Sequence, residues 1–156
     1  MAGLVEGRLT EQGIILPGAA TPAANYVSYT IAGKIVFVSG QITMLDNKLQ
    51  FVGRLGDDMD VDTGYQAASL CGLNLLAHLK TACGGDLDRV RQVVKLGGFV
   101  NSTPEFTDQP KVINGASDLM VSVFGEPIGQ HARFAVSATS LPLGVAVEVD
   151  GIFEVN

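Results

Sequence analysis

Two stretches in the first third of the chain alternate between apolar and polar residues, as half-buried strands do. Residues 26–31 and 34–39 are rich in β-branched and aromatic side chains, and Ala32-Gly33 separates them. This spacing predicts a β-hairpin. Asp46-Asn47-Lys48 predicts a second turn with a short strand on either side. The stretch from Gln12 to Gly33 carries no charge but is broken by glycine and proline, so we interpret it as a loop leading into the first strand.

A long helix is predicted from about Thr63 to Ala82, because apolar residues recur there at helical spacing. Gly84-Gly85 follows the pattern and is typical of a helix C-terminus. Four aspartates lie around its start: Asp57, Asp58, Asp60 and Asp62. Their charge suits the positive end of the helix dipole. A calcium loop is the alternative, but the cluster lacks the glycine and the distal glutamate of that motif, so helix capping is favoured.

The second half of the chain predicts a strand, a helix and two further strands. Their expected bounds are Val90–Val100 for the strand, Asp108 to Gly125 for the helix, and Ala132–Thr139 and Val145–Val155 for the last two strands. The order ββ(β)αβαββ predicts an α+β fold, in which a mixed sheet carries two helices on one face. Because the chain has 156 residues, we expect a single domain over residues 1–156.

The composition narrows the classes of partner. Only 17% of the residues are charged, against about 25% in ordinary soluble domains, so we expect another subunit to cover part of the surface. The net charge is -6 with ten Lys and Arg, which leaves no basic stripe for nucleic acid. The N-terminus has no basic start followed by an apolar run, and no apolar stretch suits a membrane helix. We therefore expect neither nucleic acid nor membrane as a partner.

The two cysteines indicate a reducing compartment. Cys71 and Cys83 lie twelve residues apart in or beside the predicted helix, which separates them by roughly 18 Å. A disulfide needs Cα atoms within about 7 Å. We expect two buried, reduced thiols and a cytoplasmic protein.

Common catalytic motifs and metal sites are missing from the sequence. The chain has neither a P-loop nor a Gly-x-Gly-x-x-Gly turn. His78 lies on the predicted helix and His131 precedes a strand, and neither has a third ligand at metal spacing. We interpret both histidines as structural and expect no metal.

Arg133 is the first candidate for chemistry. It opens a predicted strand on which Ala135, Ser137 and Thr139 share its face, so short side chains leave room beside a planar cation. Arginine grips carboxylates bidentately, which favours a small anionic ligand. The plainer interpretation, favoured on composition alone, is an ion pair with one of the sixteen acidic residues.

Glu148 is the second candidate, on a strand whose valines occupy the other face. Such a carboxylate either points into solvent or positions and deprotonates a water molecule. If the last two strands form a simple hairpin, Arg133 opposes Gly151 and Val136 opposes Glu148, which puts the two candidates on opposite faces. They would then meet through a one-residue slip or a bulge in the hairpin, or across a subunit boundary.

Around these residues the sequence resembles the Rid (YjgF-type) family of reactive intermediate deaminases, whose members are often labelled translation inhibitors or endoribonucleases. The resemblance runs from about Pro22 through most of the chain. The matching segments are Tyr26-Val27, Val38-Ser39-Gly40-Gln41, Val93-Val94-Lys95 with Phe99-Val100, Asn114, Ala132-Arg133-x-x-Val136, Leu141-Pro142 and Val147-Glu148-Val149.

The resemblance implies a chorismate mutase-like fold assembled as a homotrimer, with ligand clefts between subunits. It assigns the substrate carboxylate to Arg133 and the attacking water to Glu148. Cleft-lining positions are Tyr26, Ser39, Gly40, Asn114 and Ala135, the last of which replaces a cysteine found in many deaminases. The implied reaction is hydrolysis of small 2-imino or enamine acids to 2-oxo acids and ammonia, without cofactor or metal.

Two departures keep alternatives open. The chain has an extra N-terminal segment, about residues 3–20, and extra residues around 101–109. Together with Ala135, they leave room for a non-catalytic trimer that binds small carboxylate metabolites. A ribonuclease follows only from the family's labels, and the net charge of -6 disfavours it.

Overall fold

The computed structural model describes residues 3–22 and 24–156, arranged as three helices, a five-stranded sheet and a two-stranded ribbon. The helices are α1 (Leu4–Glu11), α2 (Val61–Ala82) and α3 (Gln109–Phe124), and the strands are β1 (Tyr29–Ala32), β2 (Ile35–Gln41), β3 (Met44–Leu45), β4 (Lys48–Leu49), β5 (Val90–Asn101), β6 (Ala132–Ala138) and β7 (Val147–Val155). The α+β fold predicted from the sequence is confirmed.

The sheet is mixed, with the strand order β1-β2-β7-β5-β6. All neighbours are antiparallel except β5 and β6, which run parallel because α3 connects them. The two predicted turns are present: Gly33 has φ +61°, and Asp46 and Asn47 have φ 51° and 61° between β3 and β4. Two successive residues with positive φ match the twist of a tight hairpin.

Helices α2 and α3 both cover one face of the sheet, as predicted. On β5 the buried residues Leu96, Gly98 and Val100 point toward them. A Cβ atom on Gly98 would lie 2.6 Å from the side chain of Ile113 in α3, so the glycine permits a close approach of helix and sheet. The opposite face, which we call the outer face, carries partly exposed apolar side chains, among them Phe37, Phe99 and Val136.

The last two strands do not form the simple hairpin that was considered for them. Strand β5 lies between β6 and β7, pairing Leu96 with Arg133 on one side and with Gly151 on the other. Phe99 likewise pairs with both Val136 and Glu148. Alternation along a strand therefore still puts Arg133 and Glu148 on opposite faces. A parallel neighbour entered from α3 satisfies the same apolar alternation as a hairpin, so the pattern alone could not separate the two topologies.

Helix α1 lies within the extra N-terminal segment and was not predicted from the sequence. Its first turn has no side-chain cap of its own; instead Asp88 accepts hydrogen bonds from the backbone N–H groups of Leu4 and Val5, each at 2.8 Å. Val5 and Leu9 are buried against the core. Because the capping residue is more than eighty positions away, no local signal marks the start of this helix.

Helix α2 begins two residues before its predicted start, and Asp60 caps it by accepting a hydrogen bond from Thr63 N at 2.8 Å. This confirms the capping role for that aspartate. Cys71 and Cys83 are buried free thiols. In residues 3–22 and 24–156, no helix is both long and apolar enough to cross a membrane.

Candidate functional site

A cavity of about 400 Å³ lies beside the end of β2, and three predicted site residues line it: Tyr26, Ser39 and Gly40. The extra N-terminal segment forms one wall through residues 17–22, and α2 contributes Asn74 and His78. Asn74 donates hydrogen bonds to the carbonyls of Ile42 and Met44, at 3.2 and 2.9 Å, and so fixes the chain after β2. His78 is buried, and desolvation lowers its pKa, which favours a neutral ring.

A bulge in β2 shapes the part of this cavity that holds Ser39 and Gly40. Val38 pairs with Gly151 and Gln41 with Val149, so one extra residue is accommodated between them. The Ser39 hydroxyl donates to Val27 O at 2.7 Å, and its backbone N–H donates to Ser28 O at 2.8 Å. These bonds tie the bulge to the segment that carries Tyr26. Bulges commonly redirect backbone beside functional sites.

Glu148 lies against the bulge on the outer face. A Cβ atom on Gly40 would be 2.6 Å from Glu148 Oε1, so the carboxylate occupies space that only glycine leaves free. Glu148 is half-buried, and desolvation together with the charge of Asp150 raises its pKa. A carboxylate with a raised pKa is a stronger base and suits proton transfer near neutral pH. We call Tyr26, Ser39, Gly40 and Glu148 the Glu148 group.

Arg133 is held by neutral groups. Its Nη1 donates to Ser117 Oγ at 3.0 Å and its Nη2 to the carbonyl of Pro110 at 3.2 Å. Within the described chain, the ion pairs join Lys80 to Glu6 and Lys111 to Asp108, and no carboxylate pairs with Arg133. The plainer interpretation of Arg133 as an ion-pair partner therefore does not hold within the described residues. Of the five N–H donors of its guanidinium, three are left for a ligand.

Asn114 and Ala135 lie beside Arg133. Asn114 falls on the same row of α3 as Pro110 and Ser117, at spacings of four and three residues. Ala135 follows Arg133 on the same face of β6, where it pairs with Gly98 and packs against the core. Gly98 is buried and leaves its space to Ile113 of α3, so the helix that carries Ser117 packs closely on the sheet beside Ala135.

Ser117 and His131 are the contacts that sequence reasoning missed. His131 Nε2 lies 2.8 Å from Ser117 Oγ, and its Nδ1 lies 2.7 Å from Gly129 O. The available signal was the helical spacing that puts Ser117 one turn beyond Asn114. We call Asn114, Ser117, His131, Arg133 and Ala135 the Arg133 group.

The two groups do not meet within one chain. The Glu148 group belongs to β2, β7 and the segment before β1, whereas the Arg133 group belongs to the edge strand β6 and to α3. Two strand spacings, about 10 Å, separate β7 with Glu148 from β6 with Arg133, and β2 lies one spacing further away. Arg133 and Glu148 also lie on opposite faces. Of the two routes that the sequence left open, a bulge in a shared hairpin is thereby excluded.

No group of three or more His, Cys, Asp or Glu side chains is arranged to hold a metal in the part of the chain that the structure describes. The two groups contain a guanidinium, a carboxylate, an imidazole, hydroxyls and an amide. Such a set can bind an anion and move a proton.

The sequence and the structure of this chain are similar to those of known proteins. Residues 6–154 match the family described as "YjgF/chorismate mutase-like, putative endoribonuclease". The chain is 50% identical to the protein TCP17 of Trypanosoma cruzi over 155 residues, covering 99% of this chain and 96% of that protein. It is also 50% identical to Atu1372 from Agrobacterium tumefaciens, with a TM-score of 0.90 over 97% of this chain and 92% of that one.

A more distant similarity concerns the fold alone. RidA from an Antarctic Psychrobacter is 22% identical, with a TM-score of 0.57 over 90% of this chain and 98% of its own. The family expected from the motifs is confirmed, and membership supports a role in processing small molecules. The match over nearly the whole sequence shows that the chain belongs to the YjgF/chorismate mutase-like (Rid) family.

Proposed function

We propose that the protein hydrolyses small 2-imino or enamine carboxylic acids to 2-oxo acids and ammonia. The observation that carries this proposal is the state of Arg133, a guanidinium fixed by Ser117 and Pro110 with three donors unused and no carboxylate partner in the described chain. An immobilised planar cation matches a substrate carboxylate. Short side chains at 135 and 137 leave space for the rest of a small molecule.

Glu148 supplies the second half of the reaction. It takes a proton from water as the water oxygen bonds to the imine carbon, giving a tetrahedral carbinolamine. Glu148 returns this proton to the nitrogen, and the hydroxyl of the carbinolamine then gives its own proton through Glu148 to the same nitrogen as the carbon–nitrogen bond breaks. Ammonia leaves, and the oxygen forms the new carbonyl. Since an imine carbon is already electrophilic, orientation of water and substrate accounts for most of the work. Because the pKa of Glu148 is raised, this carboxylate becomes protonated at a higher pH than an ordinary glutamate, whose pKa is 4.5. As the pH is lowered, activity should therefore already fall before the pH reaches 4.5.

A cleft between copies of the chain joins the two groups in this proposal. We infer a homotrimer in which Arg133 of one subunit faces Glu148 of the next. Three features support it: the two groups lie on opposite faces of one chain, the outer face exposes Phe37, Phe99 and Val136 by 38–43%, and only 17% of residues are charged. The two buried free thiols fit a cytoplasmic location.

The direct test couples the protein to an amino-acid oxidase that releases 2-imino acids and follows their disappearance. Wild-type protein should accelerate imine loss, and Arg133→Ala should lower kcat/KM by about 10- to 100-fold, since a charge-assisted hydrogen bond to the substrate is removed. Arg91→Ala is the matched control because it removes the same charge from an exposed position on β5. Imine loss no faster with wild-type protein than with Arg133→Ala would refute the proposal.

The same samples separate the alternative of a carboxylate-binding protein. Calorimetry with a small 2-oxo acid reports binding independently of turnover. Binding that depends on Arg133, combined with no turnover of any imine, would favour that alternative. The replacement of the family's common cysteine by Ala135 is the feature that keeps it worth testing.

A further inference from the structure

We propose that Ser117 and His131 are positioning residues that hold the guanidinium of Arg133 in the orientation that accepts a carboxylate. This proposal rests on the role given to Arg133 under the proposed function. Neither residue touches the substrate in this scheme. Both act through a continuous chain of hydrogen bonds that ends at the backbone of the loop before β6.

The direction of every bond in this chain follows from what each group can donate. Arginine only donates, so Ser117 Oγ accepts from Arg133 Nη1 at 3.0 Å. A carbonyl only accepts, so His131 Nδ1 carries a proton and donates to Gly129 O at 2.7 Å. In a neutral ring the other nitrogen then has a free lone pair. It accepts the Ser117 hydroxyl proton over 2.8 Å.

The result is a chain in which every donor has one acceptor: Arg133 to Ser117, Ser117 to His131, and His131 to Gly129. The serine hydroxyl uses its single proton on the histidine, and its oxygen is thereby oriented toward the arginine. If His131 were absent, the hydroxyl would be free to rotate. The lone pairs of its oxygen would then no longer be held toward Nη1.

The far end of this chain is anchored rigidly. A Cβ atom on Gly129 would lie 2.6 Å from Met120 O and 2.7 Å from Val121 Cα, so this loop is pressed against α3. Gly129 N–H also donates to Gly125 O at 2.6 Å. The side chain of Gln92 on β5 lies within hydrogen-bonding distance of the carbonyls of Ile128 and Gln130. The Gly129 carbonyl, which accepts the hydrogen bond from His131 Nδ1, therefore lies in a loop that both α3 and β5 hold in place.

An arginine held in this way loses less conformational freedom when a ligand binds, which is the general advantage of preorganisation. The second bond, from Nη2 to Pro110 O, fixes the plane of the guanidinium. The remaining donors then present a constant edge to an incoming carboxylate. Loss of Ser117 should therefore weaken carboxylate binding without removing the charge.

The test measures pyruvate binding by calorimetry, together with kcat and KM for imine hydrolysis. Ser117→Ala should weaken pyruvate binding about tenfold, the size expected for one oriented hydrogen bond, and raise KM while leaving kcat within about twofold. Ser117→Thr retains the hydroxyl and should bind within about twofold of wild type. His131→Phe keeps a ring but removes the acceptor, and should weaken binding about three- to fivefold.

The double variant Ser117→Ala with His131→Phe gives the sharpest result. Because His131 acts through Ser117, the double variant should bind no more weakly than Ser117→Ala alone, whereas two independent contributions would add. Wild-type affinity in Ser117→Ala, or additive losses in the double variant, would overturn the proposal. If circular dichroism shows that Ser117→Ala does not fold, the test rests on comparing His131→Phe with wild type and with Ser117→Thr. An unchanged pyruvate affinity in His131→Phe would then overturn the proposal.

Arg133→Ala distinguishes this proposal from the proposed function. Pyruvate binding that survives Arg133→Ala refutes the role of Arg133 itself. Binding that is lost in Arg133→Ala but unchanged in Ser117→Ala refutes only the positioning chain. Calorimetry gives both results even if no imine is turned over.

Discussion

The Arg133 group and the Glu148 group solve opposite electrostatic problems. Arg133 is a cation fixed by a serine hydroxyl and a backbone carbonyl, with no anion paired to it in the described residues. Glu148 is an anion whose burial and whose neighbour Asp150 both raise its pKa. Among the described residues, neither Arg133 nor Glu148 forms an ion pair. The cleft proposed between copies would place the two opposite charges at one site, so the contrast between the groups can be tested by experiment.

The largest expected effect comes from combining variants of the two groups. With each variant purified alone, we expect Arg133→Ala to lower kcat/KM about 10- to 100-fold and Glu148→Gln to lower it at least about 100-fold, since imine hydrolysis needs both carboxylate binding and proton transfer. Co-expression with two different tags and purification through both yields mixed oligomers. In the proposed cyclic trimer, each site takes Arg133 from one subunit and Glu148 from the next. A trimer with two copies of one variant and one copy of the other, in either ratio, therefore contains one intact site. About one third of wild-type activity should return.

The control for this experiment mixes two differently tagged copies of the same variant. It should stay inactive, because every site then lacks the same side chain. If the site lay within one chain, the mixed oligomers would stay as inactive as either parent. That result would contradict the inference that the two groups face each other across a subunit boundary.

The sequence predicted the elements of the fold better than their connections. Hairpins at Gly33 and at Asp46-Asn47 were predictable because their turn residues carry local information. The place of β6 beside β5 was not, because side-chain alternation is the same for a hairpin and for a parallel pair. Helix α1 was not predicted because the residue that caps it, Asp88, is remote in sequence.

Prediction of the site was limited in the same way. Arg133 and Glu148 were identified from their residue types and strand positions, Gly40 was identified through the family motifs, and the structure puts Gly40 against Glu148. The partners of Arg133 were not identified, because Ser117 and His131 are ordinary residues until α3 brings them together with β6. A hydrogen-bond chain that spans a helix, a loop and a strand leaves no periodic signal in the sequence.

Gly40→Ala should produce an intermediate effect confined to the Glu148 group. The backbone of Gly40 does not have a positive φ, so alanine is sterically allowed there and the disturbance comes from its Cβ meeting Glu148 Oε1. Displacing a catalytic carboxylate by a fraction of an ångström to one ångström should lower kcat about 10- to 100-fold. Steady-state kinetics measures this, and pyruvate affinity should change little because the Arg133 group is intact.

Gly7→Ala is the matched control for Gly40→Ala. Gly7 lies within α1, where an added Cβ meets nothing within 4 Å. Alanine there should leave activity unchanged and raise the free energy of unfolding by about 0.5–1 kcal/mol, because glycine is a poor helix former. Equal losses of kcat in both variants would show that position 40 has no special relation to Glu148.

The smallest effect is a pH-dependent change in stability from Glu148→Gln. Because the pKa of Glu148 is raised on folding, the folded protein binds more protons than the unfolded chain between the ordinary value of 4.5 and the folded value. The contribution of Glu148 to stability is therefore full below about 4.5 and is lost as the pH rises through the folded pKa. Glutamine stays neutral, so the variant should have a higher Tm than wild type at pH 7 and a similar Tm near pH 4.

Glu154→Gln is the control, because it removes the same charge from the same strand and face. Subtracting its effect on Tm leaves the part that is due to the burial of Glu148 beside Gly40. If Glu148→Gln and Glu154→Gln changed Tm alike at every pH, the burial of Glu148 beside Gly40 would have no effect of its own on stability. Glu148 would then be an ordinary surface carboxylate, and the proposed cleft would lose the buried anion that it sets against Arg133.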